Sequence, residues 1–123
     1  MSIPASAEVF ADKLDPHEEL DWRLNCYSIL EDGEAIATGT WTLEILSEGT
    51  ALGLEIMTGG GRDPALLTDA RALVFWLTVD PLFQDDASFD DGGLNLPMRI
   101  TFESDALPAR KRQRTFLVPV AQQ

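Results

Sequence analysis

The sequence predicts an all-β chain, folded as an immunoglobulin-like antiparallel β-sandwich of about six to seven strands. Three observations lead there. Apolar and polar residues alternate with a period of two in successive short stretches, Gly, Pro and Asp separate those stretches at the spacing of sandwich strands, and no heptad or internal repeat interrupts the pattern. At 123 residues the chain has the size of one ordinary domain, able to bury a core without disulfides or metal.

Residues 1–13 are rich in Ala and Ser and carry an early proline. They are expected to form a flexible N-terminal arm that orders only on assembly, ahead of a single sandwich domain over residues 14–123. Asp15-Pro16 then sets a turn, because proline fixes φ and holds the residue before it extended. Leu20, Trp22, Leu24 and Cys26 share one parity against Asp21, Arg23, Asn25 and Tyr27, the mark of a half-buried strand. A turn at Glu31-Asp32-Gly33-Glu34 leads to a second strand over residues 35–46, in which Trp41, Leu43 and Ile45 share a face. Ile36 has the opposite parity, which calls for a bulge or bend near Gly39. Trp22 and Trp41, one on each side of the turn, are expected to meet in the centre of the core.

Ser47-Glu48-Gly49 reads as another turn, followed by alternation at Leu52, Leu54 and Ile56. Gly59-Gly60-Gly61 breaks the chain, and residues 64–71 are expected to form a short helix opened by Pro64. Residues 73–79 are apolar on both parities, Trp76 included, as suits a central strand. The acidic stretch 80–93 is expected to protrude as a loop. Leu96, Met98, Ile100 and Phe102 alternate again, with Pro97 placing the start of that strand near an edge or bulge. A basic turn over residues 107–114 leads into Phe116, Val118 and Val120.

A net charge of -12 argues against a general nucleic-acid binder. No apolar run is long enough for a bilayer, and the first residues lack the basic and apolar regions of a secretory signal, so a membrane is not an expected partner. Cys26 has no second cysteine to pair with and reads as a small buried residue.

Candidate chemistry is sparse. His17 is the one histidine and has no nucleophile near it in sequence. Asp85, Asp86, Asp90 and Asp91 could gather calcium, although their spacing does not fit an EF-hand, which leaves a calcium-dependent binding module as one alternative. The glycine run lacks the Lys-Ser/Thr that a phosphate loop needs. Arg110, Lys111, Arg112 and Arg114 form the one basic cluster and are candidate partner contacts, as are the loop aspartates. No catalytic set and no cofactor is expected.

Several of these segments recur together in a known pattern. Asp15-Pro16-His17-Glu18-Glu19-Leu20-Asp21-Trp22, Leu30-Glu31-Asp32-Gly33-Glu34-Ala35-Ile36, Thr40-Trp41, Trp76-Leu77 and Arg99-Ile100-Thr101 follow one another in order. In this the chain resembles the short fibre-tail adaptor proteins of tailed bacteriophages, over roughly residues 15–120. The resemblance implies a non-enzymatic virion protein, made in the host bacterial cytoplasm, that joins tail, neck or fibre components by contacts with other virion structural proteins in a ring or multi-copy assembly. A capsid cement or decoration protein of the same fold is the other virion role. Residues 58–71 and 80–93 depart from the pattern, and loops are where contacts are rewritten.

Overall fold

The computed structural model describes residues 7–123. Its elements follow the order β1 (Glu8–Val9), β2 (Leu20–Asn25), β3 (Thr42–Ile45), α1 (Ser47–Thr50), β4 (Leu54–Ile56), β5 (Ala65–Leu66), β6 (Ala72–Val79), β7 (Leu94–Glu103) and β8 (Lys111–Val120). One sheet has the order β1-β8-β7-β3 and the other β2-β6-β4, with β5 also on β6. Every pairing is antiparallel except β1 with β8. In an immunoglobulin sandwich, β2, β6 and β4 would be strands B, E and D, and β3, β7 and β8 strands C, F and G. The fold is therefore an immunoglobulin-like β-sandwich. β1 and β5 are two-residue pairings, too short to leave a periodic signal in the sequence.

The core follows the alternation. Leu73, Phe75, Leu77 and Val79 of β6 are fully enclosed, as are Ile100 and Phe102 of β7 and Val118 and Val120 of β8; Trp22 and Leu24 close it from β2. Rows from both sheets interdigitate because each strand turns every second side chain inward.

The tryptophan pair is a correction. Trp22 is buried on β2, but Trp41 lies just before β3 in the opposite sheet and is only partly buried, as is Trp76 on the outer side of β6. The largest enclosed side chains are Phe75, Phe89 and Phe102. Indoles carry a polar N–H and favour positions with one wet side, whereas phenyl rings need no partner.

The N-terminal arm also differs from expectation within the described residues. β1 pairs Glu8 with Phe116 and Val9 with Leu117. Phe10 packs edge-on against Trp22 at 5.1 Å between ring centroids and donates its N–H to the Leu117 carbonyl. Leu14 is fully buried and pairs with Val120. One large apolar side chain, Phe10, anchors the segment, and the remainder of the expected arm, residues 1–6, lies outside the described residues.

Three local expectations change. Residues 64–71 form no helix: β4 pairs with Leu77–Val79 of β6, leaving Leu73 and Val74 to β5, and sheet pairing outweighs weak local propensity. The strand expected over residues 35–46 is confined to Thr42–Ile45. Ile36 makes a single bridge to Ser104, and a turn at Gly39, with φ +78°, separates the two. Pro97 holds the expected place near an edge: it lies in the first part of β7, where β8 is its one strand partner. Its carbonyl accepts from Leu46 N–H at 3.0 Å, one residue past the last β3 pair, so its missing amide faces a place where β3 has already ended. Ser47–Thr50 closes into a single helical turn.

The acidic stretch 80–93 does not protrude. Asp80 accepts from Leu82 N–H and Asp86 from Ser88 N–H, each starting a short 3-10 turn. The second turn drives Phe89 into the core, and its carbonyl accepts from Gln122 N–H at 2.9 Å. Gly93, with φ +69°, touches the chain end so closely that a Cβ there would overlap the Val120 carbonyl. The loop is a lid sealed onto one end of the sandwich.

Candidate interaction surface

The basic cluster is dispersed by the period of β8. Arg112 and Arg114 share the parity of the inward row, while Lys111 lies on the opposite face, paired in register with Glu103. Two cations are matched within the chain: Arg110 Nη1 stands 3.1 Å from Glu34 Oε2, and Arg112 Nη2 stands 3.7 Å from Glu31 Oε1. Arg114 Nη1 donates to the Gln113 carbonyl at 2.8 Å. The cause is topological. The hairpin joining β7 to β8 lies beside the turn that holds Glu31 and Glu34, tied by Asp105 N–H to the Ala35 carbonyl and by Ala35 N–H to Asp105 Oδ1.

Glu34 is the centre of this clasp and was not marked by sequence. It is buried, takes the N–H of Glu31 at 3.1 Å, and meets the Arg110 guanidinium and the enclosed Ser104 hydroxyl. Together these hold its carboxyl below the ordinary glutamate range, with the Glu31 amide as the largest cause. Arg71 adds hydrogen bonds to the carbonyls of Glu34 and Glu31. The signal of Glu34 in the sequence is an acidic residue directly after the turn glycine, close to Ile36.

The acidic loop is divided in the same way. Asp86 caps its turn, and the Ser88 amide lowers its pKa. Asp85 is exposed and meets His17 Nε2 at 2.9 Å. Asp90 and Asp91 are exposed on the lid. Among the described residues no three His, Cys, Asp or Glu side chains converge as a metal site. Cys26 is fully enclosed, and burial pushes its thiol up to about 11.

The motif residues hold structural positions. Asp15 Oδ1 accepts from His17 N–H at 2.8 Å, Asp15 N–H donates to Glu18, and Asp15 Oδ2 accepts from Gln123 N–H. The Thr40 hydroxyl donates to the Ala37 carbonyl at 2.7 Å and accepts from Glu103 N–H at 3.1 Å. Trp76 carries the Arg62 guanidinium 4.9 Å above its ring, and Arg62 pairs with Glu19. Arg99 pairs with Glu44 across β7 and β3.

The open side of the sandwich, between β1 and β2, is the feature sequence did not reveal. A groove of about 650 Å³ lies between Ala11, Asp12 and Lys13 on one wall and Glu18, Leu20, Asp21 and Trp22 on the other. A smaller one, about 210 Å³, continues it between Glu8, Val9, Phe10 and Ala11 and Arg23, Leu24 and Asn25. No family model, curated protein or solved structure matches the chain.

Proposed function

We propose that the protein is a non-enzymatic structural component of a bacteriophage particle, an adaptor that joins tail, neck or fibre components through protein–protein contacts. The observation that carries this reading is the ordered run of motifs from Asp15-Pro16 through Arg99-Ile100-Thr101, which resembles the pattern of fibre-tail adaptors. Each motif has a fold-building task. Asp15 and Glu18 tie the entry to β2, Glu34 clasps the hairpin, and Thr40 locks the chain to Glu103.

The described residues support the same reading by where their polar side chains are used. His17 is engaged by Asp85 on the surface, Asp80 and Asp86 cap turns of the lid, and Arg110 and Arg112 answer glutamates of the same chain. The test is the copy number of the protein in purified particles, measured by mass spectrometry against the major capsid protein. An adaptor gives a few copies to a few tens per particle, the size of a ring, on the order of one ring symmetry. Hundreds of copies would mean a capsid cement protein instead, and absence from the particle would refute a virion role.

A further inference from the structure

We infer that the open side of the sandwich, between β1 and β2, receives an extended cationic segment of another protein, which adds as a strand along the outer edge of β2. This rests on the reading of the chain as a contact module and names the surface and the partner chemistry.

The backbone gives the first reason. Cys26 N–H donates to the Arg71 carbonyl on the β6 side, so even-numbered residues of β2 turn their peptide groups toward β6. Asp21, Arg23 and Asn25 therefore turn theirs outward, where no described residue pairs with them. The opposite wall has the same character. Phe10 N–H points to β8, so Val9 presents its N–H and carbonyl groups to the gap. Two strand edges thus face one groove, with hydrogen-bonding capacity on both sides that no described residue meets.

Side chains give the second reason. Leu20 and the buried Trp22 line the groove, and the Trp22 indole N–H is enclosed without an acceptor among the described residues. Val9 on the other wall is 50% exposed. Apolar lining and unmet peptide groups together are what strand addition requires.

Charge selects the occupant. Glu8, Asp12, Glu18 and Asp21 border the gap against Lys13 and Arg23, on a chain of net charge -12. The field draws in a segment carrying Lys or Arg and repels an acidic one.

The test is titration calorimetry on the full chain with two synthetic peptides of about ten residues, one alternating Lys with Val and the other Glu with Val. The Lys peptide binds, more weakly as salt rises, and the Glu peptide gives no heat. Arg23→Pro removes an outward N–H without touching the β6 pairing, and it lowers affinity by about tenfold or more at an unchanged melting temperature. The double variant D12N/D21N weakens binding of the Lys peptide by about tenfold and does so without a backbone change, so it serves if the proline variant fails to fold. No binding by either peptide, equal binding by both, or binding that survives both variants overturns the assignment. Concentration-dependent self-association in sedimentation, abolished by Arg23→Pro while the Lys peptide gives no heat, would assign the groove to a second copy and overturn it as well. If the protein is found in particles at ring copy number while the Lys peptide gives no heat, the adaptor reading stands and the groove assignment alone falls.

Discussion

Phe89 shows how far a single side chain can depart from its sequence context. It sits in a run of Asp, Ser and Gly that reads as solvent-exposed, yet it is completely enclosed. Two Asx turns six residues apart fold the lid so that this ring points down into the sandwich end. Phe89→Ala should therefore cost about 3–5 kcal/mol, the loss of transfer energy plus the residual cavity. Chemical denaturation of the variant checks this, and a change below about 1 kcal/mol would mean that the lid is not part of the core. Cys26 was legible as buried from its place in an alternating row. Trp22 was legible too, but the separation of Trp41 from it was not, because parity says which face a residue takes and not which sheet it joins.

At the scale of elements, the long strands were legible and the short ones were not. β2, β6, β7 and β8 each present several inward residues in a row, so the period is visible. β1, β5 and the Ile36 bridge contain one or two pairs each, fixed by what the neighbouring strand leaves unpaired. The clasp between the turn at Glu34 and the β7–β8 hairpin is of this second kind, and it has a pH signature. Glu34 has its folded pKa held below the unfolded value of 4.5. The unfolded state then binds the proton more readily, so the stabilisation is fully present above that value and is lost as pH falls through the folded pKa. Glu34→Gln should lower the melting temperature at neutral pH and lose less of it on acidification below about pH 4 than the unsubstituted chain does. Scanning calorimetry across that range measures both effects, and parallel curves for the two proteins would remove the clasp from the account.

For the molecule as a whole, the topology explains why the sandwich closes on one side and stays open on the other. β3 and β4 are joined through the short helix α1, so the two sheets are stitched together there. On the opposite side β1 follows β8 and β2 follows β6, and no described strand joins the two edges. That gap was invisible in the sequence because it is defined by peptide groups that lack partners among the described residues, and backbone groups carry no letter code. The charge balance was visible, but not its division into internal pairs of Arg110 and Arg112 at the β7–β8 hairpin and an acidic margin along the gap. Native-state hydrogen exchange on the isolated protein tests this most directly. Along β2 the amides of Trp22 and Leu24, which face β6, should persist, while those of Asp21, Arg23 and Asn25 exchange quickly, and across the gap Phe10 should be slow beside a fast Val9. Uniform protection along both strands would show the edges already covered, and would contradict the account.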